Sequence, residues 1–166
     1  DPCPTPPGPT ADGCIASGRL SRLTASGDTA SAESVLINDW CQQYWSHSIG
    51  DLAFGADGSL FMSAGDAASY SFTDYGQRGD PLNPCGDPPA GVGGVQTPPT
   101  AEGGSLRVQD MQTSGDPLGL DGTVIRVDPD TGRPIPDLPG ETDQSVLNEK
   151  RIVAYGFRNP YRIAVR

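Results

Sequence analysis

Histidine is almost missing from this 166-residue chain, where His47 is the only one, and basic residues are few: Lys and Arg number 11 against 21 Asp and Glu, a formal net charge of -10. Phosphate recognition needs clustered positive charge, and the scattered Lys and Arg here argue against a nucleic-acid partner. No apolar run approaches the ~20 residues a helix needs to cross a bilayer, so no membrane span is expected. Hydrophobic residues make up 35% of the chain, below the ~45–50% usual for a compact domain. Helical periodicity is hard to find, because Gly or Pro interrupts nearly every window long enough for three turns, which argues against a helical bundle. The start Asp1-Pro2-Cys3-Pro4 carries no basic segment followed by an apolar stretch, and any export signal is expected to have been removed already. No C-x-x-C pair occurs, which leaves a zinc site poorly supported.

Glycine and proline are abundant instead, 22 and 17 residues, implying many turns and a loop-rich β protein. Cys3, Cys14, Cys41 and Cys85 are expected to form two disulfides in a secreted or periplasmic protein. The short intervening loop favours Cys3 with Cys14, leaving Cys41 for Cys85, and the other two connectivities stay open. Residues 1–17 read as a Pro- and Gly-rich linker or arm, with the β domain occupying 18–166. Strand-like segments recur at 18–24, 34–38, 49–54, 59–64, 105–108, 122–128, 151–155 and 161–165, each short and bounded by turns. The turns Gly55-Ala56-Asp57-Gly58 and Asp128-Pro129-Asp130-Thr131-Gly132 are those of antiparallel meanders.

The chemical lead is the stretch His47-Ser48-Ile49-Gly50-Asp51-Leu52-Ala53-Phe54-Gly55, which runs through the Asp-Gly turn into Leu60-Phe61-Met62-Ser63-Ala64-Gly65-Asp66. Two antiparallel strands joined by a tight turn bring their open ends together, so His47 and Asp66 are expected to be neighbours. An imidazole backed by a carboxylate has a fixed tautomer and suits a general base. The tract 67–104 is far longer than a common hairpin loop and reads equally as a lid over a site or as an excursion clipped by Cys85. Its Asp74, Tyr75, Gln77 and Asp80 are candidates for contact with a polar ligand. The carboxylates of Asp128 and Asp130 are spaced as in calcium loops, but Arg133 and Pro139 stand where an EF-hand needs Gly and Glu. Gly91, Gly93 and Gly94 lack the following helix of a phosphate loop.

Four phrases, HSIGDLAFGADGSLFMSAGD, GGSLRVQD, GDPLGLDGTVIRVDPDTG and RIVAYGFRNPYR, occur in that order and resemble the soluble glucose/sorbosone dehydrogenases that use pyrroloquinoline quinone. The cysteine-containing DWCQQ and NPCGDPP resemble an exported branch of that family. The resemblance implies an all-β fold, a six-bladed propeller of four-stranded antiparallel blades. At roughly 40–50 residues or more per blade, this chain is expected to supply about two or three blades, the remaining blades following Arg166. His47 matches the family's proton acceptor from the sugar C1 hydroxyl, Asp66 the carboxylate that orients it, and Arg158 with Asn159 the pair set against the quinone. The calcium that polarises the quinone is expected to take its ligands beyond this chain. Asp116 and Asp121 fall in a signature read as structural. The implied activity is oxidation of an aldose or related sugar at C1 by hydride transfer to the quinone, with electrons passed to an external acceptor. The alternative is a non-catalytic secreted propeller module that binds carbohydrate.

Overall fold

Strand β1 (Ala16–Ser26) turns at Gly27-Asp28 and returns as β2 (Thr29–Gln42), an antiparallel two-stranded sheet in the computed structural model, which describes residues 16–42, 47–67 and 118–166. Ser26 pairs with Thr29, whose Oγ1 donates to the Ser26 carbonyl at 2.9 Å, so the loop is as tight as a hairpin allows. Both strands are longer than the sequence suggested. The far half of the hairpin is built from Ser, Thr and Ala and is exposed, so it gives no apolar alternation to read. Ala16 and Ser17 also belong to β1, pairing with Gln42 and Cys41.

The second sheet is a four-stranded meander in chain order: β3 (Ile49–Phe54), β4 (Leu60–Ala64), β5 (Thr123–Val127) and β6 (Ile152–Tyr155). The β3–β4 turn closes with the Gly55 amide donating to the Ser59 carbonyl at 2.8 Å. Asp57 accepts there from the Ser59 amide at 3.1 Å and the Ser59 hydroxyl at 2.6 Å. Alternate residues of the central strands, Leu60, Met62, Ile125 and Val127 among them, face the core. Leu20, Ile37 and Trp40 from the base of the hairpin join the same cluster, so the two sheets share one core. Met62, Ile125 and Val127 are at most 1% exposed, and each is worth roughly 1.5–3 kcal/mol of burial.

One element was not expected. Residues Gln144–Arg151 form helix α1, capped by Asp143, whose carboxylate accepts from the Ser145 amide at 2.8 Å. Lys150 and Arg151 in its last turn favour the negative helix end, and Leu147 is buried. Arg151 thus ends a helix and does not begin the strand expected over 151–155. The expected strand over 161–165 does not form either. Its backbone donors are taken elsewhere: the Tyr161 amide bonds to the Asn159 carbonyl at 2.9 Å and the Ile163 amide to Asp51 Oδ2 at 3.2 Å. Two of the donors a ladder would use on one edge are therefore already engaged.

The described residues are thus mostly β, in two antiparallel sheets with one helix and no closed barrel. Among them no helix is long and apolar enough to cross a membrane. The strand expected at 105–108, most of the tract 67–104 with Asp74, Tyr75, Gln77 and Asp80, the glycines Gly91, Gly93 and Gly94, and Asp116 lie outside the described residues. Cys3, Cys14 and Cys85 also lie outside them, whereas Cys41 is disulfide-bonded.

Candidate functional site

Past the last ladder pair, Ile49↔Ala64, the two chains stay side by side, residues 47–48 running along residues 65–67. Two backbone bonds hold this continuation: Gly65 N–H to the Ser48 carbonyl at 3.0 Å and Ala67 N–H to the His47 carbonyl at 3.2 Å. His47 and Ala67 both have positive φ, 53° and 50°. Non-glycine residues pay ~1–3 kcal/mol for such a conformation, and it persists only where surrounding contacts over-determine it. Here it turns the chain at the open end of the β3–β4 pair and sets the imidazole opposite the acid.

A third segment enters from the far end of the sheet. β6 runs out at Tyr155, Gly156 turns the chain with φ 93°, and the Phe157 amide bonds to the Gly122 carbonyl at 3.0 Å, while the Gly122 amide bonds to the Gly65 carbonyl at 2.7 Å. This relay of backbone bonds lays residues 157–160 against residues 65–66. The Asp66 amide donates to the Arg158 carbonyl at 3.0 Å. Below it, Ser63 Oγ donates to the Pro160 carbonyl at 2.8 Å and accepts from the Asp51 amide at 3.0 Å. Glycine is required at two of these junctions because a Cβ has no room. One on Gly65 would lie 2.2 Å from the His47 carbonyl oxygen and 2.6 Å from that of Arg158, and one on Gly50 would lie 2.4 Å from the Pro160 carbonyl oxygen.

The result is a small polar centre at one end of the meander. The Asp66 side chain is fully buried, at 0% exposure, and its two oxygens face different partners. Oδ1 lies 3.4 Å from His47 Nδ1, and Oδ2 accepts from Arg158 Nη1 at 3.3 Å. A buried carboxylate is costly unless paired, and Asp66 has the Arg158 guanidinium at hydrogen-bond distance and the His47 imidazole beside it. The His47 contact is within ion-pair distance but too poorly aligned for a hydrogen bond, and Nδ1 is a buried nitrogen with no hydrogen-bond partner among the described residues. Such contacts in catalytic pairs are often long before substrate binds. With Nδ1 turned to the acid, Nε2 on the opposite edge of the ring is the nitrogen available to a substrate.

Three of the four expected site residues therefore meet. Asn159 follows Arg158 directly but is exposed, and no side-chain hydrogen bond among the described residues ties it to the cluster. Arg158 keeps nearly half its side chain exposed, 46%, with donors beyond the one given to Asp66. A planar cation anchored on one side and open on the other can donate to a carbonyl or carboxylate oxygen. The described residues contain no group of three His, Cys, Asp or Glu side chains placed to hold a metal ion. Asp121 is a buried acceptor for Trp40 Nε1 at 3.1 Å and Gln42 Nε2 at 3.5 Å, joining the hairpin to the turn before β5. Ser63 and Gly65 were not singled out from sequence, although their place in the run Ser63-Ala64-Gly65-Asp66 just before the acid was a usable signal.

A cavity of about 620 Å3 lies elsewhere, between β2, the 131–133 turn and α1, and touches none of His47, Asp66, Arg158 or Asn159. The polar cluster is the better chemical candidate, because it joins a base, an acid and a cation. No protein family, curated protein or solved structure matches this chain.

Proposed function

We propose that this protein is a secreted quinoprotein dehydrogenase that oxidises an aldose or related sugar at C1, on a six-bladed propeller to which the β3–β6 meander contributes a blade. The observation that carries the reading is the meeting of His47, Asp66 and Arg158 at one end of that meander. Pyrroloquinoline quinone, when bound, supplies the hydride acceptor. His47 Nε2 takes the proton of the C1 hydroxyl, which raises electron density at C1 and eases departure of its hydrogen. Asp66 holds the ring in one orientation and stabilises the imidazolium that results. Arg158, fixed through Asp66, holds a quinone oxygen or carboxylate and offsets negative charge as it grows there, with Asn159 as a neighbouring donor. Calcium belongs to the proposal with ligands other than the described residues. An external acceptor then removes the electrons. The disulfide at Cys41 supports an exported protein, since such bonds persist in oxidising compartments.

The test is reconstitution with pyrroloquinoline quinone and calcium. Sugar-dependent dye reduction is expected, and His47→Ala should lower turnover by roughly 10²-fold or more, the scale of general base catalysis. Unchanged turnover in a folded His47→Ala protein would reject the role. Sugar binding without any dye reduction would favour the carbohydrate-binding module instead.

A further inference from the structure

The cavity beside α1 contains an arrangement the proposed oxidation does not use. Arg151 lines it and is only 4% exposed, yet no carboxylate among the described residues pairs with it. Its hydrogen bonds all go to neutral acceptors: Nε to the Gly132 carbonyl at 2.9 Å, Nη1 to Asn148 Oδ1 at 2.8 Å and to Gln144 Oε1 at 3.2 Å. Those bonds fix the guanidinium plane, and among the described residues none occupies Nη2. A second guanidinium, that of Arg133, lines the same cavity but is already engaged by Asp137. Burial, and after it the charge of Arg133, pushes the Arg151 pKa below its ordinary value. Arginine nevertheless stays protonated in proteins, so the cavity holds a buried cation whose charge is uncompensated.

Polar and apolar surface share the rest of the lining about equally, the apolar part coming from Trp40, Leu120 and Leu147 on the walls and from Val35, 47% exposed, at the mouth. A volume of about 620 Å3 falls within the ~300–1,000 Å3 of small-molecule sites. An inorganic anion would satisfy the cation and leave the apolar walls without a partner, whereas a neutral apolar molecule would do the reverse. We propose that this cavity binds an amphipathic carboxylate, its head on the open Nη2 edge of Arg151 and its hydrocarbon body against Trp40, Leu120 and Leu147. The site is independent of the His47 centre, and its test does not depend on activity.

Sodium octanoate is the probe, titrated into the isotope-labelled chain and followed by amide and indole resonances. Saturable shifts are expected at the Trp40 indole and along residues 147–151, with octan-1-ol binding at least 10-fold more weakly. Arg151→Met should weaken octanoate at least 10-fold and leave octan-1-ol unchanged. Because Arg151 also ties α1 to Gly132, that variant carries weight only if its spectrum is folded. Val35→Trp, an exposed position that blocks the mouth, leaves Arg151 intact and should also weaken octanoate at least 10-fold. Equal binding of octanoate and octan-1-ol, shifts elsewhere, or full octanoate affinity in Val35→Trp would overturn the proposal.

Discussion

Gly65→Ala tests the junction on which the site is built. An added methyl would sit 2.2 Å from the His47 carbonyl oxygen and 2.6 Å from the Arg158 carbonyl oxygen. Neither oxygen is free to swing aside, because the first accepts from the Ala67 amide and the second from the Asp66 amide. Forcing extra volume into a packed site costs about 1–3 kcal/mol, and each backbone bond lost adds about 0.5–1.5 kcal/mol. The expected destabilisation is therefore about 2–6 kcal/mol, a large share of the ~5–15 kcal/mol that holds a domain folded. Gly58→Ala is the control. Gly58 has φ +82° with no atom within 4 Å of the added Cβ, so its cost is conformational alone, about 1–2 kcal/mol. Urea unfolding of both variants gives the comparison. If Gly65→Ala costs no more than Gly58→Ala, the residues around His47 and Arg158 do not converge on Gly65, and the site geometry described above fails.

Asp57 is held at a pKa of about 2, first by the Ser59 hydroxyl, then by the Ser59 amide and by Arg126. A depressed folded-state pKa contributes stability that is present above ~3.9, the unfolded value, and is lost as pH falls towards 2. The stability difference between wild type and Asp57→Asn, followed by thermal unfolding, should accordingly shrink from pH 5 to pH 2; a constant difference would contradict it. Trp40→Phe keeps the ring packing but removes the indole N–H that Asp121 accepts at 3.1 Å, and should cost about 1–3 kcal/mol in urea unfolding. A neutral result would mean that this bond does not couple the hairpin to the turn before β5.

The residues disclosed some of this architecture and hid the rest for identifiable reasons. Strand β3 and the tight Gly55–Ser59 turn were readable because apolar residues and a turn signal occur at the right spacing, and the open end of that pair is where His47 comes within 3.4 Å of Asp66. Arg158 is different: 92 residues separate it from Asp66, and no periodicity can show that two such segments meet. Only the family resemblance brought it to the site. Helix α1 is eight residues long, too short for an apolar stripe to repeat over three turns. Its marks were present, with Asp143 before it and no Gly or Pro between Gly140 and Gly156. At 161–165 the residue types suit a strand, but Asp51 captures a donor a ladder would need. The same bond, with that from Leu52, holds the Asp51 carboxyl below its ordinary pKa. Arg151 was read as the start of a strand, and neither its burial nor the cavity beside it has a local sequence signature.

The claim at the centre is that His47 and Asp66 act as one unit, and a double-mutant cycle on turnover of the reconstituted protein tests it most directly. Residues that work through each other are not additive: once the base is gone, Asp66 has only Arg158 left to hold. Asp66→Asn should therefore slow the His47→Ala protein by a much smaller factor than it slows the wild type. Losses that multiply, or an Asp66→Asn enzyme as fast as wild type, would contradict the account.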